Sequence, residues 1–214
     1  MTKTILITSG PTREYIDPVR FISNSSSGKM GKAIVEEAIK KGFNVIVVKG
    51  PSQTEIKISK KCKVINVVSA EEMFKAVKEN LKFADIFIGV AAVADYTPVS
   101  FSKVKIKKNK NILNLKLKKN PDIIGYVAKH KGNKTVIGFA LESDNIIEYA
   151  TKKLKEKKLD IIVANGTETI SSEKSSPCLI FKSGEKKKLK SATKKYIAKE
   201  IVNEIIKIES DKTC

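Results

Sequence analysis

Two stretches of this chain carry residue types that could do chemistry. The first, "RFISNSSSGKMGKA" from Arg20 to Ala33, puts Asn24, Ser25, Ser26, Ser27 and Gly28 directly before a helical pattern. Hydroxyls, unpaired backbone N–H groups and the positive end of a helix dipole would converge there, an arrangement suited to a phosphate or carboxylate. A neutral amide such as Asn24 can donate to a carbonyl or phosphate oxygen and accept from an amine, without a charge that must be desolvated. The residues alone also fit a plainer description, with Ser27 as a helix cap and Asn24 as a turn residue. The second stretch, "GVAAVADYTP" from Gly89 to Pro98, is an apolar run that stops at small residues and one acid, Asp95.

Other chemistries lack parts. No stretch supplies the Gly-x4-Gly-Lys-Ser/Thr phosphate loop, and a long loop separates Gly10 from Gly28 and Gly31, where a dinucleotide fingerprint needs three close glycines. The single histidine, His130, falls near a helix end, and Cys62, Cys178 and Cys214 are far apart, so neither a His-based triad nor a metal site is expected. The cysteines give no disulfide framework, and the apolar start "TILITSG" is too short for a signal peptide or a membrane span. A reducing, cytoplasmic setting without membrane contact is the expectation.

The elements that must position these groups alternate. Continuously apolar runs ("TILIT", "FNVIVVKG", "CKVINVV", "ADIFIGVAAVA", "TVIGFALES", "LDIIVANG") have the composition of strands buried on both faces. Helical spacing separates them: Met30, Ile34 and Ala38 before Gly42; Phe74, Val77 and Leu81 after a Ser69/Glu72 capping box; a helix with Asn120 as cap and Pro121 as first residue; then Ile147, Ala150, Leu154 and Ile197, Ile201, Ile205, Ile208. The pattern predicts one domain over residues 1–214. Its fold class is α/β, a doubly wound, mostly parallel Rossmann-like sheet with helices on both faces and ligands at the strands' carboxyl ends. "PCLIFKSGEKKKLK", turning at Ser183-Gly184, reads as an antiparallel hairpin extending the sheet. Ser102 to Lys119 contains no acid and alternates polar with apolar residues, which predicts a β-arm insertion near 100–119 whose apolar face needs cover.

Lys and Arg number 42 against 23 Asp and Glu, a formal net charge of +19. Such a surface attracts anions in general. The scarcity of Arg, and an arm without interleaved aromatics, argue against nucleic acid as the partner.

The stretch "TSGPTREYIDPVRFISNSSSGKMG", followed in order by "AAVADYTP", "KIKK" (Lys105 to Lys108), "KNPDII" (Lys119 to Ile124), "IGFALES" and "LDIIVANG", resembles the phosphopantothenate–cysteine ligase family over nearly the whole chain. The resemblance implies that the carboxyl group of 4′-phosphopantothenate attacks CTP, or ATP in some members, giving an acyl-nucleotidyl intermediate and pyrophosphate. L-cysteine then takes the acyl group in a step of coenzyme A biosynthesis. It further implies that Asn24 handles the intermediate, that Arg20, Ser26, Ser27 and Gly28 lie at the phosphopantothenate site, and that Lys105 sits on a flap over the triphosphate. Gly89, Val90, Ala91, Asp95, Asn120, Pro121, Asp122, Ile123, Phe139, Lys153 and Lys157 would form the nucleotide pocket. Mg2+ would arrive with the nucleotide, and the arm, through Val104, Ile106, Leu113 and Leu115, would contribute to a homodimer. Met1 begins almost directly at the first strand, so no decarboxylase half and no flavin are expected, leaving a separate phosphopantothenoylcysteine decarboxylase as a possible partner. Pro11 stands where bacterial relatives commonly carry glycine, which implies a stiffer loop.

Overall fold

A computed structural model describes residues 2–108, 111–167 and 174–212. In chain order the elements are β1 (Thr4–Ser9), β2 (Arg13–Tyr15), β3 (Phe21–Ser23), α1 (Lys29–Lys40), β4 (Asn44–Lys49), β5 (Cys62–Asn66), α2 (Ala70–Asn80) and β6 (Ile86–Gly89). There follow β7 (Tyr96–Pro98), β8 (Leu117–Lys119), α3 (Ile123–Lys129), β9 (Thr135–Glu142), α4 (Ile146–Glu156), β10 (Ile161–Gly166), β11 (Lys174–Ser175), β12 (Cys178–Phe181), β13 (Lys186–Lys188), β14 (Ala192–Thr193) and α5 (Lys194–Asp211).

The main sheet has the strand order β13-β12-β10-β9-β6-β1-β4-β5. All pairings from β10 to β5 are parallel, and β12 and β13 add antiparallel. This is the expected doubly wound α/β fold, with the hairpin turning through Gly184 at φ 92. Because both faces are covered, neighbouring residues of one strand enter different cores. Ile5 and Ile7 join the α1 and α5 side, while Leu6 and Phe87 join the α2, α3 and α4 side, all fully buried. Ile34, Ala38, Ile197, Ile201 and Ile205 seal the first side; Met73, Val77, Val127, Ala150 and Leu154 seal the second. Beneath β1 and β9, Glu209 of α5 accepts from Lys3 Nζ at 2.6 Å and Lys212 Nζ at 2.9 Å, and also bonds the Thr135 hydroxyl.

Several local expectations are corrected. In α2 the expected Ser69/Glu72 cap forms, Ser69 accepting from Glu72 N at 3.2 Å and Glu72 reaching the Val68 N–H at 2.7 Å, but Met73 is fully buried along with Val77 and Phe74 is only half-buried. The cap of α3 is Asp122, whose Oδ1 accepts from Gly125 N at 2.9 Å; Asn120 instead donates to Ala94 O at 2.8 Å, so Pro121 precedes the helix. Two acceptable caps stand two residues apart, and the tertiary bond to Ala94 decides between them. Gly28, not Ser27, takes the cap position of α1, in the left-handed region at φ 73, while Ser27 Oγ accepts from Lys29 N at 3.4 Å.

The arm is not a hairpin of its own. β8 pairs with β7, Tyr96 opposite Lys119, and Val99 N extends that ladder to Lys116 O. Between them residues 100–108 and 111–116 hold no strand. The "KNKN" turn expected at 108–111 lies partly outside the described residues. Val104, Ile112 and Leu113 are 72%, 73% and 53% exposed, so the apolar face is as bare in this chain as its alternation implied.

Candidate active site

The strand order reverses at β1, whose neighbours β4 and β6 lead away in opposite directions, and a crevice at the carboxyl ends follows from that topology. The loops leaving β1 and β6 are stitched together across it. Ala92 N donates to Gly10 O at 3.0 Å, Thr12 N to Ala92 O at 3.4 Å, and Ala94 N to Thr12 Oγ1 at 3.0 Å. Pro11 belongs to this seam, buried and bridged to Ala92, so its fixed φ suits a loop that is already held.

On the α3 and α4 side of the crevice lies a cavity of about 570 Å³. This is within the usual range for a small-molecule site. Gly89, Ala91, Asp95, Asn120, Pro121, Asp122, Ile123, Phe139, Lys153 and Lys157 all line it, as the sequence reading grouped them. Thr8, Phe87, Val93, Ala94, Tyr96, Lys119 and Ile124 line it too. Gly89 sits opposite Gly138 in the β6–β9 register, and a Cβ on Gly138 would fall 2.7 Å from Leu159 Cδ1 and 2.8 Å from Ile124 Cδ1. The floor is therefore close-packed beneath an open mouth.

Val90 is not part of the lining. Beyond Gly89 the chain stays extended, so residues 89, 91 and 93 face the cavity while Val90 packs into the core on the α1 and α5 side. Lys105 is exposed on the arm and outside the lining, and Arg20, Asn24, Ser26, Ser27 and Gly28 lie outside the lining too. Asn24 still touches the rim, its Nδ2 donating to Val93 O at 3.0 Å, so the two opening stretches meet at this bond. Gly28 is buried beside Gly10 and Ser52, where a Cβ would come within 3.0 Å of the Ser52 hydroxyl. Ser27 O accepts from Thr54 Oγ1 at 2.5 Å.

The cavity's charge is arranged on α4. Lys153 Nζ donates to Phe139 O at 2.9 Å, and burial pushes its pKa below the usual lysine value, opposed by Glu142, Asp95 and Asp122 nearby. Four residues on, Lys157 pairs with Asp122. Burial works against the Asp122 carboxylate, yet the Lys157 hydrogen bond and the Gly125 N–H outweigh it and lower its pKa. An anion entering here meets one ammonium group half released from water and a second already matched to a carboxylate. Among the described residues no group of three or more His, Cys, Asp or Glu could hold a metal ion.

The sequence reading missed Thr8, Tyr96 and Lys119 because each sits at the end of a strand, where only the three-dimensional stacking of β1, β7 and β8 brings them to one mouth.

Residues 1–208 match the family described as DNA/pantothenate metabolism flavoprotein C-terminal domain, DFP. The chain belongs to this family. The coenzyme A biosynthesis bifunctional protein CoaBC of Haemophilus influenzae is 45% identical over 206 residues, which cover 94% of this chain and 51% of that protein. The DFP chain thus spans about half the length of the curated relatives it matches. A crystal structure of the C-terminal domain of CoaBC superposes with a TM-score of 0.84 at 40% identity, covering 98% of this chain and 96% of that one. The Streptococcus pneumoniae DNA/pantothenate metabolism flavoprotein superposes with a TM-score of 0.85 at 27% identity, covering 96% and 98%. The Rossmann-like architecture read from the sequence is therefore that of the DFP structures.

Proposed function

We propose that this DFP chain joins 4′-phosphopantothenate to L-cysteine in coenzyme A biosynthesis, using CTP. The observation that carries the reading is the cavity at the carboxyl ends of β6 and β9, where Gly89, Ala91 and Phe139 can take a base and sugar beside Asp95 and two lysines. Its support from relatives is the name of CoaBC, a coenzyme A biosynthesis protein.

In the first half-reaction the phosphopantothenate carboxylate attacks the α-phosphorus of CTP, the bond to the β-phosphate oxygen breaks, and acyl-cytidylate and pyrophosphate form. In the second the cysteine amine attacks the acyl carbon, CMP leaves, and the amine's proton passes to solvent or base. Neither half moves electrons, so the reaction calls for no flavin. Mg2+ would arrive with the nucleotide and supply neutralisation of the triphosphate charge. Charge builds on the α-phosphate and the departing pyrophosphate, which is where Lys105, Lys153 and Lys157 act by electrostatic stabilisation. Asn24, tied to the rim through Val93, would hold the intermediate for cysteine, with Arg20, Ser26, Ser27 and Gly28 on the phosphopantothenate side.

The exposed Val104, Leu113 and Leu115 support a homodimer in which the arm is covered by a second copy. No helix among the described residues is long and apolar enough to cross a membrane, and the reading places the protein in the cytoplasm, with a separate decarboxylase acting on its product. The test is pyrophosphate release with CTP or ATP, with and without phosphopantothenate, followed by addition of cysteine. CTP-dependent release that needs phosphopantothenate is expected; release with ATP alone corrects the nucleotide, and none with either rejects the reading.

A further inference from the structure

The turn between β2 and β3 holds a carboxylate with no access to solvent. Asp17 is 0% exposed, and its Oδ1 accepts from Val19 N and Arg20 N, both at 2.9 Å. Its Oδ2 accepts from Arg20 Nε at 3.0 Å, Arg20 Nη2 at 2.5 Å and Ile106 N at 3.2 Å. Arg20 Nη2 also donates to Ile106 O at 2.9 Å, so both backbone groups of one arm residue are captured by one side-chain pair. The Arg20 guanidinium holds the Asp17 carboxyl well below the usual carboxylate range against the opposing effect of burial, with the Val19, Arg20 and Ile106 N–H groups adding to it.

A second pin lies four residues earlier, where Ser102 N donates to Ile16 O at 3.0 Å. Ser102 Oγ closes the intervening turn onto Val104 O at 2.6 Å. Lys103, Val104 and Lys105 therefore form a short exposed bridge between two fixed points. The base is itself anchored, since Glu14 is buried and accepts from Ala70 N at 2.9 Å, and Arg13 N donates to Val68 O at 2.9 Å. The arm's root, β7 and β8, supplies Tyr96 and Lys119 to the cavity. A buried carboxylate satisfied by so many donors is a costly device if its only role is to close a surface turn, because a buried ion must be fully paired to be tolerated.

We infer that Asp17 is a positioning residue: through Arg20 and the Ile106 backbone it fixes the arm so that Lys105 is presented in one orientation. The inference rests on the proposed ligase reading only for what Lys105 does; the clasp itself is independent of it. Asp17→Asn keeps the size and loses the charge. Peptides covering residues 102–107 are expected to exchange amide hydrogen about tenfold faster in that variant, while exchange in α1 and α5 is unchanged. In pyrophosphate release at saturating phosphopantothenate, which offsets any change at Arg20, kcat is expected to fall about tenfold with the CTP KM within about twofold, since the orientation of Lys105 is lost. Lys105→Ala combined with Asp17→Asn is expected to be no slower than Lys105→Ala alone.

Unchanged exchange at 102–107, or single effects that multiply in the double variant, would overturn the inference. Should Asp17→Asn fail to fold, Arg20→Lys, which keeps the charge but loses the planar fork that serves Asp17 and Ile106 O together, carries the same exchange test. Wild-type protein silent with every nucleotide would reject the ligase reading, and the exchange arm would still decide the clasp.

Discussion

The cavity and the arm are built on opposite plans. The cavity rests on two packed cores, Phe87 and Ile124 line it, Leu159 packs with Ile124 against Gly138, and its mouth is fixed by hydrogen bonds between the loops leaving β1 and β6. The arm has no core; it is rooted at β7 and β8, pinned at Ser102 and Ile106, and otherwise bare. Under the proposed reading, the contrast would put binding and chemistry on different kinds of structure. On that reading a nucleotide would be recognised by a rigid sheet, whereas the cation Lys105 would be presented by a segment held at a few fixed points.

Substitutions can break this division. The largest effect is expected at the arm: Lys105→Ala should lower pyrophosphate release by about 10²–10³-fold, as for removal of one preorganised donor, with melting unchanged. Equal rates for variant and wild type would remove the arm from the chemistry. At the seam between the regions, Asn24→Ala should leave pyrophosphate release in place and slow product formation after cysteine is added by about 10²-fold, read by trapping acyl-cytidylate.

Stability should show the reverse order. Gly138→Ala presses a methyl group onto Leu159 and Ile124, and is expected to destabilise the chain by about 1–3 kcal/mol in denaturant. Leu113→Ser on the bare arm should change the monomer by no more than about 0.5 kcal/mol. Its expected consequence is weaker self-association in sedimentation. Acid sharpens the same comparison. Burial opposes the charge on Glu209, but Lys3, Thr135 and Lys212 outweigh it and lower its pKa, as Lys187 and Lys207 do for Glu204. A lowered carboxylate pKa adds stability above the ordinary Glu range, at about pH 4.3, and that stability is lost as pH falls through the lowered values. Melting temperature should therefore drop on acidification below about pH 4, and Glu209→Gln should lower it at neutral pH and flatten the drop.

Much of this was legible in the sequence where residues act in periodic runs. The run from Ile161 to Ala164 is apolar at every position and buried, which is the mark of burial on both faces, and the helices declare themselves through Ile34, Ala38 and Ile197, Ile201, Ile205. Features set by one or two contacts between distant segments were not legible. The orientation of Val90 depends on how far extended backbone continues past Gly89. The cap of α3 depends on Asn120 being occupied with Ala94, and the arm's pairing depends on β7, three residues long, being free to take it. Asp17 looks like an ordinary turn acid until Ile106, 89 positions later, is laid against it.

The Lys3–Glu209 ion pair brings the first strand and the last helix to one place, at the amino ends of the strands, whereas the cavity opens at the opposite rim. Any further polypeptide fused at either terminus would emerge from the back of the sheet and leave the entrance clear. Tagging or tethering this protein to a surface through its termini should accordingly leave its mouth pointing outward.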